Sequence, residues 1–288
     1  MDTRYDDVVD QIEARYGEAR YADALAVLDA ATGLEPWSAE LAHLRACVLG
    51  AAGDPDGALR ALQHASAAGD WWRPEILTDD DDLTALQDRP EFQYLVAKSA
   101  DRAVDDPTPA LVSYPEKSPK GVVMALPGAG QRAEHARRDW AGVLDLGHAL
   151  VCVESSRRMS PMYRTWPDPE LATADIARAL AELPPELADL PLIAAGFSAG
   201  GRVALDWALT ARPVPAAGVL AMAPALREVP GSTAGSLSPA TIWIGADDDL
   251  LEVVNAAEPQ LPGCTIERLP DLGHAFPADF AHRLAAML

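Results

Sequence analysis

Two hydrophobic rhythms divide the chain. Over roughly the first hundred residues, apolar positions recur at three- and four-residue intervals, the spacing of one helical face. Tyr21–Ala31, Ala39–Leu49 and Pro55–Ala68 each follow it. Gly33 and Pro36 separate the first two stretches; Gly50, Gly53 and Asp54-Pro55 separate the next two. Nothing here alternates with period two, so the pattern predicts an all-helical region. After residue 106 the rhythm changes. Short apolar runs at 121–127, 148–154, 191–197, 216–224, 240–246 and 264–270 predict strands. Helical stretches at 134–146, 167–183, 199–211 and the final 276–288 lie between or after them. Apolar strands without alternation, interleaved with helices, predict a mostly parallel sheet covered on both faces.

The helical region also repeats. "ADALAVL" at 22–28 aligns with "DGALRAL" at 56–62, so Ala24, Leu25 and Leu28 each stand 34 residues before Ala58, Leu59 and Leu62. That offset is the tetratricopeptide period, and small Ala beside Leu lets helix pairs stack closely. The segment resembles a tetratricopeptide-type helical module; a generic stack of helical hairpins explains it equally well. Such a module implies a protein partner or self-association. "WWRPEILTDDDDLTALQDRPEFQYL" at 71–95 breaks the repeat. Trp71 and Trp72 are expected to seal the helical stack. The run Asp79–Asp82 is expected to be a solvated, helix-capping turn in preference to a metal site, because adjacent carboxylates point in different directions.

A linker falls near "VDDPTPA" at 104–110. The expected division is therefore a helical domain at 1–106 and an α/β domain at 107–288. Charge supports it: the first 106 residues hold 23 acidic and 9 basic residues, two thirds of a net charge of −21. So acidic a chain would repel nucleic-acid phosphates and an anionic membrane surface. The beginning "MDTRYDDVVD" has no apolar run of the signal-peptide kind, and no apolar stretch is long enough to span a membrane. Three cysteines, Cys47, Cys152 and Cys264, show no metal-ligand spacing and are expected to be reduced thiols of a cytoplasmic protein.

"IAAGFSAGGRVAL" at 193–205 contains Gly196-Phe197-Ser198-Ala199-Gly200, a G-x-S-x-G. The motif alone is weak, but here a buried strand precedes it and a helix follows. That is the setting of a nucleophile elbow, in which Ser198 is thrust out at the carboxyl end of the sheet. A serine hydroxyl needs a base. His43 and His64 fall in the helical half, His135 and His148 precede the serine, and His282 lies inside the last helix. His274, in the Gly-containing loop "LPDLGHAFP", is left as the candidate base. The candidate acid lies after the strand ending at Gly245, where Asp247, Asp248 and Asp249 stand together.

GFSAG, then Gly245-Ala246-Asp247-Asp248, then "GHAF" make residues 107–288 resemble the α/β-hydrolase fold, especially small carboxylesterases and dienelactone-hydrolase-like enzymes. The resemblance selects Asp248 as the triad acid, with Asp247 and Asp249 as alternatives. It implies a serine hydrolase acting on carboxylic esters (EC 3.1.1), or on thioesters or small peptides with the same triad. It implies no metal and no organic cofactor. That family's oxyanion loop usually reads H-G-x-G; here it reads Pro127-Gly128-Ala129-Gly130. The expected oxyanion donors are the backbone amides of Ala129 and Ala199. "ESSRRMSPMYRTWPD" at 154–168 resembles a loop that borders the acyl pocket in such esterases. Tyr163 and Trp166 of this loop, and Phe197 of the elbow, are candidate substrate contacts, and packing explains Tyr163 and Trp166 equally well.

Two rivals come from other classes. "GAGQRA" at 128–133, with Glu154 ending the next strand, reads as a dinucleotide fingerprint through Gly128 and Gly130. It leaves the elbow, Asp248 and His274 without a role. Alternatively, the helical module is a protein-binding platform and the hydrolase half is inactive.

Overall fold

The computed structural model describes residues 3–229, 237–261 and 263–288. The chain divides into two compact units. One comprises residues 1–105 and 158–163, the other 106–157 and 164–288. The short excursion 158–163, expected with the C-terminal part, thus belongs to the helical unit.

The helical unit begins with two antiparallel hairpins: α1 (Thr3–Gly17) with α2 (Tyr21–Ala30), and α3 (Ser38–Ala51) with α4 (Pro55–Ala68). α5 (Pro74–Thr78), a 3-10 turn at Asp81–Leu86 and α6 (Pro90–Ala100) follow. The repeat positions Ala24 and Ala58 are both fully buried, and Leu28 and Leu62 lie in the cores beside them. Pro55 opens α4, its N-terminus capped by Asp54 accepting from the Gly57 amide at 2.8 Å. Trp72 lies inside the core, its indole N–H donating to the Ala39 carbonyl at 3.0 Å. The unit also buries polar groups. Ser99 accepts from the Trp72 amide and donates back to the Trp72 carbonyl. Glu40 Oε1 accepts from the Ser160 hydroxyl at 2.5 Å, the Met162 amide at 2.8 Å and the Tyr163 amide at 3.1 Å. That carboxylate, only 6% exposed, ties the 158–163 excursion to α3.

Among the described residues, the second unit is built on seven strands. They are β1 (Leu111–Ser113), β2 (Gly121–Leu126), β3 (His148–Cys152), β4 (Leu192–Phe197), β5 (Gly218–Met222), β6 (Ala240–Gly245) and β7 (Thr265–Leu269). Their order is β1-β3-β2-β4-β5-β6-β7; β1 runs antiparallel to β3 and every other pairing is parallel. The helices are α7 (Ala133–Asp139), α8 (Gly142–Asp145), α9 (Pro169–Ala181), α10 (Pro185–Ala188), α11 (Ser198–Thr210), α12 (Leu251–Ala257) and α13 (Phe280–Met287). The single helix expected over 134–146 is broken near Trp140, whose fully buried ring packs edge-on against Phe276 and Phe280. β2, β3 and β5 are buried throughout, which is why their sequences read as unbroken apolar runs. From β2 the chain lays β3 on one side and β4 on the other. The strand order reverses there, so a crevice opens at the carboxyl ends of β2 and β4. Among the described residues, no helix is long and apolar enough to cross a membrane.

Candidate active site

Ser198 stands at that crevice, as the first residue of α11 directly after β4. Its φ is +51°, a left-handed conformation that a non-glycine residue rarely adopts. The flanking glycines explain how the turn closes. A Cβ on Gly196 would overlap the backbone of Gly200, and one on Gly200 would overlap the carbonyl oxygens of Leu126 and Pro127. Only glycine lets β4, the start of α11 and the end of β2 converge this closely.

The loop after β2 lies over the elbow. A Cβ on Gly128 would come within 3.3 Å of Ser198 Cβ and 3.0 Å of the Phe197 ring. Three hydrogen bonds pin the loop. The Gly128 amide donates to Gln131 Oε1 at 2.9 Å, the Gly130 amide to the Arg164 carbonyl at 2.8 Å, and the Trp166 indole to the Pro127 carbonyl at 2.9 Å. Between them, the Ala129 amide has no acceptor among the described residues. The Ala199 amide, in the first turn of α11, also has none.

The histidine and its carboxylate meet on the other side. His274 Nδ1 lies 2.9 Å from Asp248 Oδ2. The Asp248 carboxylate is fully buried; its second oxygen accepts from the Leu250 amide at 2.8 Å. Asp247 and Asp249 are exposed, so of the three acids only Asp248 is directed inward. Glycine again sets the approach. A Cβ on Gly245 would overlap the carbonyls of Leu272 and Gly273, and the Asp247 amide donates to the Leu272 carbonyl at 2.9 Å. The end of β6 and the His274 loop are thereby zipped together. The His274 ring packs 4.8 Å from the ring of Phe197, the residue before Ser198, and its side chain is 40% exposed. Serine, imidazole and carboxylate are thus gathered at one end of the sheet, with solvent access to the imidazole.

The candidate substrate contacts separate. Phe197 is buried between His274 and Phe276. Trp166 is only 2% exposed and committed to Pro127, so it props the glycine loop and is not a pocket wall. Tyr163 belongs to the helical unit, where it lines a cavity of about 230 Å³ with Tyr5, Glu40, His43 and Trp72. Burial pushes its phenol pKa upward.

The dinucleotide alternative fails on Glu154. This buried carboxylate accepts from the Arg132 guanidinium at 3.0 Å, the Ala133 amide at 2.9 Å and the Thr108 hydroxyl at 3.1 Å. Burial pushes its pKa up, but the bonds from Arg132 and Ala133 outweigh that and hold it below the usual carboxylate value. An acid consumed in fastening the start of α7 has no oxygen left for a ribose, and the elbow fills the space over Gly128. Two supporting residues escaped sequence reasoning. Gln131 hooks the glycine loop. Arg202, buried in α11, donates to the Trp166 carbonyl and so braces the residue that holds Pro127. An arginine four residues after Ser198, among the small and apolar residues that open α11, was the available signal.

A mostly parallel sheet, seven-stranded among the described residues, with a strand–serine–helix elbow at its switch point is the arrangement of the α/β-hydrolase fold, which this chain adopts. Residues 4–106 match the family described as "A/B hydrolase-like, N-terminal domain". The whole chain is similar in structure to an uncharacterized protein from Bacillus cereus ATCC 10987, with a TM-score of 0.51, 21% identity, and coverage of 98% of this chain and 96% of that one. It is also similar to esterase PE8, with a TM-score of 0.50, 18% identity, and coverage of 62% of this chain and 99% of that one. At these identities the likeness concerns fold. No curated protein matches the chain in sequence.

Proposed function

We propose that the chain is a serine hydrolase that cleaves a carboxylic ester through an acyl-enzyme on Ser198. The observation that carries this reading is the 2.9 Å contact between His274 Nδ1 and the buried Asp248 carboxylate, with the imidazole packed beside the strained elbow. Asp248 holds the tautomer whose Nε2 is free to accept a proton, and it stabilises the imidazolium when that proton arrives. Ser198 Oγ attacks the ester carbonyl as His274 takes its proton. The amides of Ala129 and Ala199 receive the oxyanion, a role suited to donors already held without an acceptor. His274 then protonates the leaving alkoxide, and the alcohol departs. A water, deprotonated by His274, cleaves the acyl-enzyme and releases the acid.

The likeness to an esterase supports the ester as first substrate class. The 34-residue offset between buried Ala24 and Ala58 supports a tetratricopeptide-like reading of the helical unit, as a surface for a protein partner or for self-association.

The experiment is labelling with a fluorophosphonate probe. The wild-type protein should label and Ser198→Ala should not, with circular dichroism unchanged. Equal labelling of the two would end the hydrolase reading. A panel of p-nitrophenyl esters against matching thioesters then separates the acyl classes.

A further inference from the structure

We propose that His43, Cys47 and Asp80, all in the helical unit, form a binding site for a divalent transition-metal ion of the zinc type. His43 and Cys47 are one turn apart on α3 and so share a face. Asp80 comes from the acidic run before the 3-10 turn. Its Oδ1 is occupied by the Asp82 amide at 3.0 Å, which turns Oδ2 toward the other two side chains. Oδ2 lies 3.2 Å from Cys47 Sγ and 3.3 Å from His43 Nε2, and Sγ lies 3.5 Å from Nε2. Zinc bonds of about 2.3 Å to sulfur and about 2.0–2.2 Å to nitrogen and oxygen give tetrahedral ligand–ligand edges of roughly 3.3–3.6 Å. The three donor atoms already trace one face of such a tetrahedron.

Without a metal, the His43 Nε2–H donates to the Ile76 carbonyl at 3.0 Å and the Cys47 thiol donates to Asp80 Oδ2 at 3.2 Å. A metal ion would take the place of both protons. A cation at the centre satisfies the three side-chain donors at once. Thiolate with imidazole and one carboxylate selects zinc-like ions over Mg²⁺ or Ca²⁺, which prefer all-oxygen shells. His43 and Asp80 are 20% and 24% exposed, which leaves an entry path.

The probe is Co²⁺, titrated into the full-length protein carrying Cys264→Ser, which removes the half-exposed thiol of the sheet unit. The expected result is a saturable thiolate-to-cobalt charge-transfer band with the visible bands of tetrahedral cobalt, displaced by Zn²⁺. Cys47→Ser should abolish the charge-transfer band, and His43→Ala should weaken binding at least about tenfold. Zn²⁺ should raise the melting temperature of the parent and not of Cys47→Ser. The absence of a charge-transfer band both in the Cys264→Ser parent and in the protein without that substitution would overturn the proposal. So would a band that persists in Cys47→Ser.

Discussion

The two units place their polar chemistry by opposite means. In the sheet unit, backbone meets backbone. Gly196, Gly200 and Gly245 are glycine because a carbonyl of a neighbouring segment occupies the place of a Cβ. Ser198, His274 and Asp248 are positioned by those close approaches. In the helical unit, side chains hold the backbone. Glu40 gathers three donors from the 158–163 excursion, and Asp80 meets His43 and Cys47 from a separate segment. A backbone approach demands one residue type at a fixed spacing, and this is what makes a motif. A side-chain convergence leaves no spacing in the sequence.

The largest expected effect tests whether the sheet unit's geometry serves catalysis. Asp248→Asn keeps an oxygen for the Leu250 amide but presents the wrong partner to His274 Nδ1. The ester kcat should fall roughly 10³- to 10⁴-fold with little change in melting temperature. A fall of less than about tenfold would remove Asp248 from the triad.

Next is Gly200→Ala. The new methyl group collides with Leu126 and Pro127 carbonyls that cannot retreat without breaking the sheet. A loss of about 3 kcal/mol or more is expected, and chemical denaturation measures it. A neutral result would mean that the elbow tolerates a side chain, and the contrast between the units would lose its clearest case.

Glu40→Ala probes the other side of the contrast. It strips one acceptor from Ser160, Met162 and Tyr163 together and should cost about 2–4 kcal/mol. Glu40→Gln retains an acceptor and should cost less than half of that. Hydrogen exchange at 158–163 should accelerate in the alanine variant while β2 and β4 stay protected. Uniform acceleration would show that Glu40 matters to global stability and not to this local anchor.

This difference explains what was legible in advance. The parallel sheet was readable because strands buried on both faces are unbroken apolar runs, and the elbow because its glycines are obligatory. The loops that leave the strands pointed to His274 and to the run Asp247–Asp249, and only the family resemblance chose Asp248 from that run. β1 was missed because three edge residues carry almost no pattern, and α1 because a thin stripe of Tyr5, Val8 and Ile12 runs among acids. Residues 158–163 read as part of a loop after β3, and the distant Glu40 and Arg73 draw them into the helical unit. His43 and Cys47 were read separately, as a histidine of the helical half and a reduced thiol, and nothing in the chain announced that Asp80 would close on them.

The smallest effect concerns a side-chain pair inside the sheet unit. Asp206 sits one turn after Arg202 on α11, 3.5 Å from its guanidinium. Burial pushes the Asp206 pKa up from 3.8 to about 6, and Arg202 only partly opposes it. An acid whose pKa is higher in the folded state binds more protons folded than unfolded between those values. Stability therefore falls as pH rises from about 4 to about 6, and the cost persists above that window. Asp206→Asn removes this titration, whatever constant offset the lost Arg202 contact adds. The melting temperature of the variant relative to wild type should therefore rise between pH 4 and pH 7. After discounting for partial exposure, about 1 kcal/mol is expected, or roughly 2–4 °C. A difference that is flat with pH would mean that water reaches Asp206 freely. The polar energetics of this unit would then rest still more heavily on its backbone.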